Sequence, residues 1–564
     1  MLSTLDIRRV LLLIASGVTV ALGQPSLSEV SSLLTYCFGI ALFGAVCLEI
    51  PSARQRFFLG TVWMAAIQLY QLNWAVTHPY SYIYIPYFGV SLIFGLQFGV
   101  LAGLLTRERV ANPRFPLAGA GLWTLFEWSR QYLFVVLAMP WNSLGLPLVA
   151  TVASQQLAGV GGIYLLVFWC LLVNLLALRW WVVRGAVAGG IYALALFFPF
   201  LYGWTALALD GEGYDGGEFR ALIVQTATPI EELIPFQRPA DSFAFALEEW
   251  RSMLQLMAPF RGRAIDLILF PENTVSHGAY WAIYSLDSVK EVVASVFGEE
   301  AVAKMPDPMR GGAIAVEGGE GSKKGEGKEW RVCNAYLAQT AANLFDSEVV
   351  IGLEDVERME DGDLAAFASA FHFLPNSPYA CRYDKQILVP FAEGLPFEWC
   401  KVLAKGYGVC GGMTPGSRAV VSGGGRVPLG FSICFEEMCG EVMRANRSEG
   451  AQLLLNLTND GWYPNSRLPL QHLDLARLRA VELGMPQLRA SSSGASSAIA
   501  ATGELLALAE PKAPNYAAEP VALEVAVPLQ MRWAPYSRWG DLPVLGASCM
   551  GLLAFVFSSR RRRG

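Results

Sequence analysis

Phe431-Ser432-Ile433-Cys434-Phe435-Glu436-Glu437 is an apolar run that stops at a thiol and continues into two carboxylates. One other apolar run ends in a comparable way: Leu267-Ile268-Leu269-Phe270-Pro271 leads into Glu272-Asn273. Lys385 ends Arg382-Tyr383-Asp384-Lys385, just before Leu388-Val389-Pro390-Phe391-Ala392-Glu393. Each of the three residues stands at the end of an expected strand, and α/β folds place their chemistry at the carboxyl ends of strands. A lone cysteine at a strand end is more often a small buried hydrophobe than a nucleophile. A thiol, a carboxylate and an ammonium at three strand ends form a candidate covalent acyl-transfer site. Cys434 would attack a carbonyl, Glu272 would take and return the proton, and Lys385 would hold the oxyanion. Glu272 follows apolar residues and a proline, so burial should raise its pKa toward that of a useful base.

Composition narrows the carbonyl. The chain has 564 residues, of which 54% are hydrophobic and only 16% charged. A soluble protein carries nearer a quarter charged, so this is a membrane protein first. The net charge of -6 carries no nucleic-acid signature. The four histidines, His78, His277, His372 and His472, lie far apart, and the ten cysteines contain no CxxC pair or zinc spacing. No resident metal or other cofactor is expected, and neither a Cys-His protease nor a P-loop enzyme is supported.

Apolar segments run over roughly Val10–Leu22, Leu33–Leu48, Phe57–Trp74, Tyr84–Leu105, Phe115–Phe126, Val160–Leu178, Gly185–Leu207 and Leu542–Phe557. They predict a polytopic α-helical membrane domain of about eight spans, the first read as an uncleaved span. Arginines mark one side: Arg8 and Arg9, Arg54 and Arg56, Arg107, Arg109 and Arg114, Arg179 and Arg184, and Arg560 to Arg563. The opposite loops are nearly free of Lys and Arg, with Arg130 the chief exception. The positive-inside rule then puts both termini in the cytoplasm. The predicted domains are 1–207, with seven spans, 208–540 outside the inner membrane, and 541–564, the last span and a basic tail.

In the exported region, β-like runs alternate with helical ones. Strands are expected at Arg220–Gln225, Asp266–Phe270, Glu348–Leu353, Ala366–Phe373, Leu429–Cys434 and Gln452–Leu457. Helices are expected at Phe243–Met257, Cys333–Leu344 and Gln471–Leu483, the last with Arg477, Arg479 and Glu482 as salt-bridge partners. This alternation predicts an α/β sandwich. Gly318–Lys328 is read as a glycine-rich loop and Gly423–Gly425 as a hairpin turn. Glu393 reads equally as an ordinary ion-pair partner of Lys385 or as the group that orients it.

The ordered set Pro271-Glu272-Asn273, Arg382-Tyr383-Asp384-Lys385, Val389-Pro390-Phe391-Ala392-Glu393 and Ile433-Cys434-Phe435-Glu436 resembles the nitrilase superfamily. The membrane frame, with Glu127-Trp128, Pro140-Trp141, Asn459-Asp460-Gly461-Trp462, Gln471-His472, Ala476-Arg477-Leu478-Arg479-Ala480-Val481-Glu482 and Ala534-Pro535-Tyr536-Ser537-Arg538, resembles the apolipoprotein N-acyltransferase family. The resemblance implies an extramembrane nitrilase-like αββα sandwich on the membrane base. It implies Glu272, Lys385 and Cys434 as catalytic residues, with Glu393, Phe435 and Glu436 in support. It also implies a ping-pong N-acyltransferase of the bacterial inner membrane with a periplasmic catalytic domain, acting as a monomer. The acyl donor is then a phospholipid and the acceptor a diacylglyceryl-lipoprotein, with no cofactor. Four departures stand out, one of them the long segment between Glu272 and Lys385. Phe435 follows the cysteine where the family has tyrosine. Ser491-Ser492-Ser493-Gly494 replaces a Thr-Asn-Asn-Gly stretch. A tryptophan after the first strand has no clear match, with Phe236 its stand-in. A membrane-tethered amidase acting on a small amide is the alternative activity, and a non-catalytic lipid-binding or transport protein is the other class. Outside the membrane cysteines can pair, and whether Cys400 and Cys410 do so is left open.

Overall fold

Side-chain alternation decides which way each strand faces. Leu267 and Leu269 point into one buried layer, and Ile268 and Phe270 into another. The structure is a computed structural model that describes residues 6–560 except 133–140, 211–216, 231–233, 309–313, 317–328, 360, 361, 363, 378, 391, 395–401, 403–411 and 513–515. The Gly318–Lys328 segment, Pro140 and the Cys400/Cys410 pair lie outside the described residues.

The amino-terminal part is helical: α1 (Ile7–Ala21), α2 (Glu29–Cys47), α3 (Ala53–Gln71), α4 (Tyr84–Leu104), α5 (Phe115–Ser129), α6 (Ala158–Val183) and α7 (Ala186–Asp210). Four helical stretches, 29–47, 81–104, 158–183 and 186–209, are long and apolar enough to cross a membrane. The most apolar window of α6 is 78% buried and that of α7 only 22%. Thus α6 is the central post of the bundle, and α7 presents Leu194, Phe197 and Leu201 outward. Asn174, on α6 and fully buried, explains the π-helical turn Thr35–Gly39 inside α2. Its side chain donates to the carbonyls of Thr35 and Tyr36 and accepts from the amides of Ile40 and Ala41.

Beyond the helices lie two six-stranded sheets. In chain order the strands are β1 (Glu218–Gln225), β2 (Leu267–Leu269), β3 (Glu348–Arg358), β4 (Leu364–Phe373), β5 (Ala380–Asp384), β6 (Val421–Ser422), β7 (Leu429–Ile433), β8 (Leu453–Thr458), β9 (Gln487–Ser491), β10 (Ser497–Ile499), β11 (Leu505–Leu508) and β12 (Val521–Pro528). The first sheet has the order β12-β1-β2-β3-β4-β5 and the second β11-β10-β9-β8-β7-β6. Strands β1, β2 and β3 are mutually parallel, as are β7, β8 and β9. Leu269, Val350 and Tyr383 of one sheet pack against Phe431, Ile433 and Leu455 of the other. Helices α8 (Pro239–Met257) and α9 (Asn334–Phe345) cover the outer face of the first sheet. Helices α10 (Gly440–Ser448) and α11 (Leu468–Leu483) cover the second. This is a nitrilase-like αββα sandwich. A last apolar helix, α12 (Leu542–Arg560), returns to the bundle against α5. Strands β3 and β4 extend past their predicted ends as a hairpin, because Arg382 on the neighbouring β5 pairs with Asp355 and Glu357 there. The Gly423–Gly425 stretch lies in the turn joining the antiparallel strands β6 and β7, as the sequence predicts.

The sandwich is seated on the bundle through α11 and the segment after Cys434. Phe435, Met438, Leu475, Leu478 and Val481 share one apolar core with Leu144, Ile163 and Leu166. Polar ties fix the orientation. The Glu482 carboxylate accepts from the Ile163 amide at 2.6 Å, where Gly161 and Gly162 break the helical path of α6. Gly162 has φ +66, and a β-carbon there would fall 2.4 Å from the Tyr536 ring, so only glycine fits. The predicted salt bridge on α11 forms between Arg479 and Glu482 and is buried.

Candidate active site

Cys434 follows β7 with φ +50, a left-handed conformation that costs a non-glycine residue about 1–3 kcal/mol. The turn throws the thiol out of the strand instead of into the sheet. Glu436 holds that turn, its carboxylate accepting from the Ile433 amide at 2.7 Å. The same carboxylate accepts from the Tyr383 hydroxyl at 2.8 Å and from the amides of Gln386 and Ile387. Glu436 therefore ties the cysteine turn to the lysine loop. Burial pushes its carboxyl up to about 7, against the pull of the Ile433 and Gln386 amides and the Tyr383 hydroxyl.

Lys385 leaves the end of β5 and is 1% exposed. Its Nζ donates to Glu272 Oε1 at 2.9 Å and to Glu393 Oε1 at 2.7 Å. The other oxygen of Glu393 accepts from the Val389 amide at 2.9 Å. The eight-residue excursion from Lys385 thus returns its carboxylate to the same ammonium. Glu272 reaches the cluster because Gly352 lets its loop lie against β3. A β-carbon at Gly352 would meet Pro271 O at 2.5 Å and Glu272 Cα at 2.6 Å. Glu272 Oε2 accepts from the Asn459 amide at 3.1 Å, and the carboxylate is also hydrogen-bonded with the Cys434 side chain.

The electrostatics of the three groups agree. Burial is the largest influence on Glu272 and raises its pKa, outweighing the lowering by Lys385. Burial also pushes the Cys434 thiol well up, with Glu272 adding to the shift, so the resting sulfur is a thiol. Burial would lower Lys385, but Glu272, Glu393 and Cys434 overcome it and hold the ammonium charged. The arrangement is a protonated thiol, a carboxylate poised to accept its proton and a fixed cation.

All six residues singled out in the sequence fall in this one place: Glu272, Lys385, Cys434 and Glu393 in contact, Glu436 bracing two loops, and Phe435 between the cysteine and the bundle. Sequence reasoning missed a second buried network behind the thiol. Glu437 pairs with Arg489, which also reaches Asp460 at 3.0 Å, and Asp460 meets His472 Nδ1 at 2.7 Å. Burial would raise Asp460, yet His472 and Arg489 hold it down at about 2. The signal was an arginine inside the apolar strand Gln487-Leu488-Arg489-Ala490, which requires a buried counter-charge.

Both readings of Glu393 place it beside Lys385, and kinetics separates them. Glu393→Ala should slow single-turnover reaction of the Cys434 thiol with an acyl ester about tenfold or more, and adding Lys385→Met should cost little further, because residues acting as one unit are non-additive. Fully multiplicative losses would make Glu393 independent of Lys385.

An apolar cleft opens beside the site, lined by Leu72, Trp74 and Tyr87 of the bundle, by Trp141, and by Val389 and Phe435 of the sandwich. Residues 237–527 match the carbon-nitrogen hydrolase family, and residues 16–176 match the apolipoprotein N-acyltransferase N-terminal domain. The apolipoprotein N-acyltransferase of Chlamydia pneumoniae is 27% identical, covering 95% of this chain and 95% of its own. That of Geobacter metallireducens is 26% identical, covering 97% and 95%. A carbon-nitrogen hydrolase of known structure from Helicobacter pylori covers 58% of this chain and 96% of its own, at 14% identity and a TM-score of 0.34. The chain belongs to the carbon-nitrogen hydrolase family, carrying that fold behind an apolipoprotein N-acyltransferase amino-terminal domain.

Proposed function

We propose that this protein is an N-acyltransferase that moves an acyl chain from a phospholipid, through a thioester on Cys434, to the free amine of S-diacylglyceryl-cysteine in apolipoproteins. The carrying observation is that thiol, carboxylate and ammonium form one buried cluster at the edge of an apolar cleft built partly from the helical bundle. The names of the full-length relatives point the same way. A tethered amidase acting on a small amide would have no use for that cleft.

In the first half-reaction Cys434 attacks the ester carbonyl while its proton passes to Glu272. The tetrahedral oxyanion is held by Lys385 and the Phe435 backbone amide, where one such donor is commonly worth ~3 kcal/mol. Collapse breaks the C–O bond, and the departing lysophospholipid takes the proton from Glu272. The acceptor amine then attacks the thioester, a C–N bond forms, the C–S bond breaks, and the amine proton travels through Glu272 to the thiolate. Glu393 orients Lys385, and Glu436 holds the cysteine turn. The donor's acyl chain lies in the apolar cleft.

Incubation of the purified protein with one defined phosphatidylethanolamine should add one acyl mass to the intact protein. Added diacylglyceryl lipopeptide should then discharge it as the N-acylated product. Release of free fatty acid with no effect of the lipopeptide would favour a hydrolase. We also propose the domain division 1–207, 208–540 and 541–564, with the central domain periplasmic and the protein acting as a monomer in the bacterial inner membrane. The alternation of arginine-rich and arginine-poor loops supports this orientation. A reporter active only in the periplasm should work when inserted near Gly318 and be silent after Arg563. The reverse pattern would overturn the orientation.

A further inference from the structure

A second cleft, of mixed rather than apolar lining, opens beside the turn at Asn459–Gly461, whose first residue touches Glu272. It lies at the carboxyl ends of β1, β8 and β9, where parallel sheets bind ligands, and has a volume of about 200 Å³. Its buried floor is Asp460, Ser466 and Pro469, and Pro229, Pro464, Asn465 and Ala517 form an exposed rim. Thr228 and Ser493 add hydroxyl groups to its walls. Among the described residues, none from the helical bundle lines it. One residue lines both clefts: Tyr463, which packs edge-on against Trp74 at 4.8 Å on the apolar side. It is therefore the wall between the two clefts.

The residue that precedes Asp460 is bonded to the proton acceptor itself. The Asn459 amide donates to Glu272 Oε2 at 3.1 Å, and the Asn459 side chain accepts from the Gly461 amide at 3.0 Å and from the Ser492 hydroxyl at 2.6 Å. A nucleophile entering along this turn arrives at the carboxylate that must deprotonate it. A chain anchored in the apolar cleft would meet the sulfur from the other side of Tyr463.

We propose that this second cleft is the acceptor subsite, binding the short peptide that follows the lipidated cysteine, with Tyr463 separating it from the donor's acyl chain. This deepens the acyl-transfer reading and rests on it. The cleft's hydroxyls and rim prolines suit an extended backbone with small side chains.

The test separates the half-reactions. Thr228→Phe and Ala517→Trp each fill the cleft from a different wall, far from the bundle. Each should form the acyl-enzyme from phosphatidylethanolamine at close to the wild-type rate. Transfer to a diacylglyceryl lipopeptide should fall roughly tenfold or more, through KM for the peptide, since a bound-state contact is what is lost. Acylation that falls in step with transfer would place the phospholipid headgroup here and overturn the proposal. So would unchanged transfer in both variants. Independently of any variant, a lipopeptide with a benzophenone at its third residue should crosslink the wild-type protein within 461–466 or 516–518. A crosslink confined to other segments would also overturn it. If the wild-type protein forms no acyl-enzyme at all, the acyl-transfer reading fails first.

Discussion

Cys434→Ala yields a protein that inserts and melts normally but gains no acyl mass from phospholipid, while Cys439→Ala is acylated like the parent. Alanine suits the site because it keeps the β-carbon, so the left-handed turn at φ +50 costs the same before and after. The one polar partner lost is Glu272, which still has Lys385 and the Asn459 amide. Stability should therefore change little. Activity should change by everything the nucleophile supplies, roughly a millionfold where the comparison has been made in other covalent enzymes. Cys439 is the proper control, being five residues on and 5% exposed. Burial pushes its thiol up to about 12, as burial raises Cys434, but it is Cys434 that is hydrogen-bonded with the Glu272 carboxylate that would take its proton. An acyl-enzyme persisting in Cys434→Ala, or vanishing in Cys439→Ala, would reassign the nucleophile.

The proposed catalytic trio was legible because each member ends an expected strand, Glu272 and Cys434 after apolar runs and Lys385 after Arg382-Tyr383-Asp384, and α/β folds place chemistry at carboxyl ends of strands. Strand β2 and its continuation show how local that logic is: Leu267-Ile268-Leu269-Phe270 reads as a strand and Pro271 stops it. The orientation of the trio was not legible. Nothing in the spacing of Glu272, Lys385 and Cys434 says that β2 and β5 share a sheet while β7 lies in the facing one. Tyr383 could have been found by period alone. It stands two residues before Lys385, on the inward side of β5, while Arg382 and Asp384 pair with each other on the outward side. The second cleft escaped because its walls come from four separate segments, around 228, 461, 493 and 517, and no local pattern joins them.

Glu272→Gln and Lys385→Met should each slow thioester formation at least ~100-fold, the usual scale for losing a general base or an oxyanion donor. The two variants should differ in every other respect. In Glu272→Gln the single side-chain oxygen can accept from Lys385 or from the Asn459 amide but not from both, while Glu393 still balances the lysine charge, so the fold should lose only about 1–3 kcal/mol. In acid the wild-type rate should fall as Glu272 protonates. Because burial raises the Glu272 pKa, that fall should begin above the ordinary carboxylate range, and Glu272→Gln should lose this acid limb. Lys385→Met is harsher on the fold. It leaves Glu272 and Glu393 facing each other without the cation that both contact. Removing one partner of a buried ion pair commonly costs about 3–5 kcal/mol, and the two carboxylates can relieve this by sharing a proton. Lys385→Met should therefore melt earlier at pH 8 than at pH 6, since acid supplies the proton that replaces the lysine charge. Parallel melts and single-turnover rates over that pH interval measure both effects together. Lys385→Met acylating at the wild-type rate would remove the lysine from the mechanism, and loss of rate with an unfolded protein at both pH values would make its role structural alone.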